Sequence, residues 1–260
     1  MEEQKIFYDS TDNIKLCGLL SKVNDSDKIV VLCHGFSGNK SEKKSFDVLV
    51  ERMRENNINS FRFDFRSHGE SSGNDWEMTV SGEIEDLKTS IKLLENLGYN
   101  EFILLGASFG AGIVSLLDFE NYSNINSLIL WYGAFDFKDP RNQTFSDDKW
   151  EIAKSYGYYE LLKKTGVIRK IGLNLFNEVN KFKPYENLSK LELPLLFVHG
   201  TIDTSVPPEL SIETASKCKN ARVELIEGGW HTFDNSKEAL DNAIEISVDY
   251  IKNNLIFKGR

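Results

Sequence analysis

What this 260-residue chain lacks narrows it first. It has no apolar run approaching the roughly 20 residues that cross a bilayer, so no transmembrane helix is expected. It opens Met1-Glu2-Glu3-Gln4-Lys5, acidic and without an apolar signal core, which predicts a cytoplasmic protein. Its three cysteines, Cys17, Cys33 and Cys218, are odd in number and far apart. They suit reduced thiols better than a disulfide framework or a zinc site. Basic residues are outnumbered, with 31 Lys and Arg against 40 Asp and Glu, and no basic stripe stands out, so nucleic acid is not the expected partner. Internal repeats and low-complexity segments are missing as well. What remains is a globular composition, 40% hydrophobic and 27% charged, long enough to bury a core as one domain or one domain with an insertion.

The pattern along the chain alternates. Residues 5–8 and 14–20 read as strands around the turn Ser10-Thr11-Asp12-Asn13. Buried strands follow at 29–33, 60–65, 102–105, 128–132, 195–198 and 222–226. Helical spacing appears at 41–55, through Phe46, Leu49, Val50 and Met53, and at 84–97, stopped by Gly98. A last helix is expected over roughly 236–253. This order predicts an α/β protein with a mostly parallel, eight-stranded sheet flanked by helices. Residues 135–187 break the rhythm, and a structureless loop of that length would be unusual in a compact domain. They read as an inserted lid on a core formed by 1–134 and 188–260, with a helix start at Ser146, a turn and short strand over 164–169, and a second helix over 174–182. Ten of the chain's 30 aromatics fall there, most of them expected to pack the insert's own core.

One serine stands out. Gly106-Ala107-Ser108-Phe109-Gly110 joins an apolar strand to a helix-like run, the setting of a nucleophile elbow. The turn strains Ser108, and side chains at either glycine would collide with the neighbouring strand and helix. Two further strand ends complete a set. Asp203 follows the strand at 195–198, and His231 follows the last strand. Serine, then aspartate, then histidine is the order of a Ser-His-Asp triad in an open α/β sheet. Each alone has a duller explanation: a chance glycine loop, a turn aspartate capping a helix, a loop histidine. Asp136, after the strand ending at Tyr132, is a rival acid. The other histidines, His34, His68 and His199, read as loop braces. His34-Gly35-Phe36-Ser37-Gly38 stands where an oxyanion loop belongs, which assigns the backbone N–H groups of Phe36 and Phe109 to the oxyanion hole.

These residues resemble the α/β-hydrolases over nearly the whole chain. Asp64-Phe65-Arg66-Ser67-His68-Gly69-Glu70-Ser71 is similar to the D-x-R-G-H-G-x-S segment of monoglyceride-lipase-like, serine-aminopeptidase-like and cinnamoyl or feruloyl esterase members, with Ser67 where glycine is usual. The segment from His199 to Pro207 is similar to their H-G-x-x-D-x-x-V-P acid loop. Together with the loop at His34 and the long insert, the chain most resembles the feruloyl esterases, although Phe109 replaces the polar residue those enzymes often carry after the serine.

The resemblance implies a serine carboxylesterase acting through an acyl-enzyme on small acyl or aromatic, cinnamoyl-type esters, with no cofactor and no metal. Candidate substrate-binding residues are Trp131, Phe135, Trp150 and Trp230. Serine aminopeptidase and thioesterase activities stay open, since carboxylates in the insert could meet a free amine. A non-catalytic binding protein of the same fold is the alternative from another class. The expected partner is a small ester, not nucleic acid or membrane, and a homodimer stays open.

Overall fold

A computed structural model describes residues 3–141, 145–162, 166 and 168–255. Among the described residues, eight strands form one sheet. They are β1 (Gln4–Asp9), β2 (Lys15–Ser21), β3 (Lys28–Cys33), β4 (Ser60–Asp64), β5 (Glu101–Ala107), β6 (Ile125–Trp131), β9 (Leu195–Gly200) and β10 (Ala221–Ile226), in the order β1-β2-β4-β3-β5-β6-β9-β10. β1 and β2 pair antiparallel, as do β2 and β4, and the remaining pairs are parallel. The expected eight-stranded, mostly parallel sheet is present.

The central strands are apolar on both sides because both faces are covered. Val31, Leu104 and Leu128 face one core with α2 (Val80–Asn96), α3 (Phe109–Ser115) and α7 (Pro208–Ala215). Val30, Leu32, Ile103, Leu105 and Ile129 face the other, with α1 (Ser45–Glu55) and α8 (Lys237–Leu255). On α1, Phe46, Leu49, Val50 and Met53 make the buried stripe that the spacing predicts. α2 starts earlier than expected because the Thr79 hydroxyl caps it, accepting from Gly82 N at 3.0 Å.

Between β6 and β9 lie α4 (Asp147–Tyr156), the antiparallel hairpin β7 (Tyr158–Leu162) and β8 (Ile168–Gly172), α5 (Leu173–Val179) and α6 (Pro184–Leu188). Ser146 precedes α4 as expected, and Gly157 ends it with φ 83°. The second helix is shorter than expected; of the turn and short strand expected over 164–169, residues 164, 165 and 167 lie outside the described residues and 168–169 belong to β8. The segment shares the main core rather than building a separate one: Phe145, Ala153, Leu175, Phe176 and Val179 are buried in it. Among the described residues no helix is long and apolar enough to cross a membrane.

Candidate active site

Ser108 sits at the end of β5 with φ 53° and ψ −117°, backbone angles that an L-residue holds only under constraint. The glycines around it are required by space. A Cβ on Gly106 would come within 2.5 Å of Ala111 Cα, and one on Gly110 within 2.4 Å of the His34 carbonyl oxygen. The turn can therefore pass between β3 and α3 only with bare backbone, and it leaves Ser108 partly exposed.

His231 follows β10 and reaches the serine across the strand ends. Its Nε2 lies 3.2 Å from Ser108 Oγ, and its Nδ1 lies 2.6 Å from Asp203 Oδ2. A carboxylate only accepts, so Nδ1 carries the proton and Nε2 is left to receive one from the serine. Asp203 is held by four donors. Oδ2 also meets His199 Nε2 at 3.1 Å, and Oδ1 accepts from Ser205 N at 2.8 Å and Val206 N at 3.0 Å. Burial raises its pKa, but the hydrogen bonds from His199 and His231 win and hold the carboxyl well below its ordinary value. Asp136 takes no part in this chain. Its Oδ1 accepts from Lys138 N at 3.0 Å within its own loop.

The remaining histidines are braces. His199 Nδ1 meets Ser211 Oγ at 2.7 Å while Nε2 also donates to the Val206 carbonyl at 2.8 Å. His34 Nδ1 donates to the Gly35 carbonyl at 2.9 Å and Nε2 accepts from Phe65 N at 3.1 Å, so the ring is neutral, with burial pulling its pKa down to about 4. His68 Nδ1 lies 2.8 Å from the Arg66 carbonyl. The segment from Asp64 to Ser71 is a brace too. Asp64 accepts from Lys40 N, Lys40 Nζ and Glu70 N, and Arg66 forks onto Asp86. Cys17, Asp64 and Glu70 converge closely enough to suggest a cation site, but Lys40 Nζ already bridges the two carboxylates.

The loop after β3 lies against Ser108. A Cβ on Gly35 would stand 3.0 Å from Ser108 Cβ. The rings of Phe36 and Phe109 meet edge to face at 5.7 Å between centroids. Beside them is a cavity of about 450 Å³ lined by Phe36, Ser37, Phe145, Lys149, Tyr159, Leu161, Ile171, Phe176, Thr204 and Ser205. It therefore lies between the loop after β3, the loop after β9 and the segment before β9.

Of the four aromatics expected at the substrate, three need correction. Trp131 is fully buried on the opposite side of the sheet, where its Nε1 donates to Ser247 Oγ on α8 at 2.9 Å, because strand alternation turns it away from the site. Phe135 is buried against Phe197. Trp150 donates to Asn177 Oδ1 at 3.3 Å within the segment before β9 and does not line the cavity. Trp230 stands nearer, its Nε1 3.2 Å from the Oγ1 of the cavity residue Thr204.

Two residues escaped the sequence reading. Arg169 on β8 is buried and reaches Ser37 Oγ at 3.2 Å, the Ser67 carbonyl at 2.9 Å and Asp75 Oδ2 at 2.9 Å, tying the hairpin to the loop after β3. Glu42 is a buried carboxylate behind the same loop. Both lie in charged, lysine-flanked stretches, Glu42 in the part read as the start of a helix and Arg169 in the part read as a turn and short strand.

Sheet order, elbow and strand-end residues are those of the α/β-hydrolase fold. Residues 24–146 match the family described as serine aminopeptidase, S33. Solved structures share the fold over nearly their full length. Est1E from Butyrivibrio proteoclasticus with ferulic acid bound is 23% identical, with 96% of this chain and 99% of that chain covered and a TM-score of 0.78. The Pyrococcus furiosus esterase Pf2001 is 22% identical, with 98% and 93% covered and a TM-score of 0.71. Mouse alpha/beta hydrolase domain-containing protein 10 is 19% identical, with 96% and 99% covered and a TM-score of 0.79.

Proposed function

We propose that the chain is a serine carboxylesterase for small acyl or aromatic, cinnamoyl-type esters. The carrying observation is the unbroken chain Ser108–His231–Asp203 opening beside a mainly apolar cavity. Ser108 attacks the acyl carbonyl while His231 Nε2 takes its proton. The Phe36 and Phe109 N–H groups receive the oxyanion, each worth ~3 kcal/mol in such sites. His231 returns the proton to the leaving alcohol. Water, activated by the same imidazole, then cleaves the acyl-enzyme. Asp203 keeps the ring in the productive tautomer throughout, and the scheme requires no cofactor.

Residues 135–187 act as the lid. Phe145, Tyr159 and Phe176 supply its aromatic face, and flat apolar walls suit an aromatic acyl group. An ester is favoured over a free N-terminus because the lining includes Lys149 and, among the described residues, no carboxylate to pair with an amine. The bound ferulic acid in Est1E supports the same class. Labelling by a fluorophosphonate probe, then turnover of a panel of nitrophenyl esters, hydroxycinnamate esters and aminoacyl amides, tests the reading. Preference for the amides would replace esterase with aminopeptidase, and absence of labelling would remove both.

A further inference from the structure

Behind the nucleophile lies a carboxylate that the hydrolytic scheme does not use. Glu42 is 4% exposed. Its Oε2 accepts the Gly35 N–H at 2.9 Å, and the Tyr132 hydroxyl points at its Oε1 from 3.5 Å. A Cβ on Gly35 would lie 3.0 Å from Ser108 Cβ and 3.2 Å from Glu42 Oε1, so a single bare residue separates the nucleophile from this carboxylate. Tyr132 extends the connection, its ring centroid 4.7 Å from that of His231.

The backbone is strained to hold this arrangement. Glu42, Lys43 and Lys44 have φ of 39°, 51° and 76°, three successive non-glycine residues in the left-handed region. Tyr132 has φ 36°. Strain of this kind persists only where the surroundings enforce it, and it gathers at functional sites. A solvated surface glutamate would need none of it.

We propose that Glu42 is a positioning residue for the oxyanion loop: by gripping the Gly35 N–H from behind Ser108, it fixes the direction of the next amide, that of Phe36. The proposal rests on the serine-hydrolase reading above. The groups facing Glu42 are Gly35 N–H and, across Gly38, His34 from the loop after β3, Lys43 from its own turn, Tyr132 from the end of β6, and Asp234 from the turn after His231. Burial pushes the carboxyl up to about 7, against the Gly35 hydrogen bond, Lys43 and Tyr132, which pull it down. The ionised form holds an amide more firmly than the neutral form. Turnover should therefore fall as Glu42 takes up a proton, in addition to any fall from His231.

The test compares wild type with Glu42→Gln, which keeps shape and acceptor but cannot ionise. Active sites are counted by probe labelling, and kcat and KM are followed for a small ester over roughly pH 5–9. Expected are a folded, labelled variant, a kcat about tenfold or more lower with KM within about twofold, and an acid limb of kcat missing one ionisation. Tyr132→Phe, which removes only a hydroxyl, should move the wild-type acid limb to higher pH. An unchanged kcat and pH profile in Glu42→Gln overturns the proposal. So does a kcat loss that merely tracks a lower melting temperature with the profile unaltered. If Glu42→Gln does not fold, an unmoved limb in Tyr132→Phe overturns it. Wild type that labels normally while both variants behave as wild type sinks Glu42 alone; wild type that neither labels nor hydrolyses sinks the hydrolase reading with it.

Discussion

Asp203 accepts from two imidazoles at one oxygen, and that crowding sets what its replacement does. An asparagine in its place would present an amide that can donate to His231 Nδ1 and so reverse the tautomer. Asp203→Asn should lower kcat about 10⁴-fold with the fold intact, measured on the best nitrophenyl ester. Ser108→Ala should abolish probe labelling and leave the circular dichroism spectrum unchanged. Phe36→Ala should keep most of kcat and change mainly KM, because the donor is backbone; a loss of several orders of magnitude with the loop ordered would contradict the assignment. Stability has its own pH signature. Glu42 is raised in the folded chain from 4.5 to about 7, so the native state binds the extra proton between those values. Its contribution is present below about 4.5 and declines as pH rises through about 7. Urea midpoints across that window should show the slope in wild type and not in Glu42→Gln. Ser108, Asp203 and His231 were legible because each follows a strand in an informative order. Glu42 was not, because Ser-Glu-Lys-Lys reads as the first turn of the helix over 41–55 and nothing in it announces three left-handed residues.

At the scale of elements, the hairpin β7–β8 lines the cavity through Tyr159, Leu161 and Ile171, so the proposed function gives it a part in substrate choice. It was only half visible. Tyr158-Tyr159-Glu160-Leu161-Leu162 does not alternate apolar with polar, and only its partner strand was anticipated. Arg169 fastens this hairpin to Ser37 in the loop after β3 and to Ser67. Its removal would leave Asp75, itself part-buried, without its partner. Arg169→Ala should cost about 1–3 kcal/mol of stability by thermal melting and raise KM for bulky esters more than for an acetate ester. Excising residues 135–187 would be a poor test of the lid, since Phe145, Leu175 and Phe176 belong to the main core. Phe145→Ala and Tyr159→Ala are better probes. Each should shift the preference between hydroxycinnamate and acetate esters in a protein that still folds, and an unaltered preference in both would remove the substrate argument.

At the scale of the whole molecule, the strands and flanking helices were readable because a parallel sheet covered on both faces leaves apolar runs of strand length separated by helical spacing. Strand alternation carried less far: nothing local says which face Trp131 takes, and the structure gives it to α8. The cysteines show the same packing. Cys17 and Cys33 are buried, and burial pushes the Cys218 thiol up to about 11. A native sample should react slowly with a thiol reagent at neutral pH, and a denatured one should titrate all three thiols. The order of the strands has a kinetic consequence. β5, which carries Ser108, lies inside the sheet, but Asp203 and His231 arrive on β9 and β10, the last two strands to be synthesised and the outermost on their side. Contacts this distant in sequence form late. On the proposed mechanism, the serine elbow can be built long before the base that activates it, so a growing or half-refolded chain would hold a nucleophile that is still inert. In stopped-flow refolding, hydrolytic burst amplitude should lag the return of far-ultraviolet ellipticity, making catalysis the last property the molecule acquires.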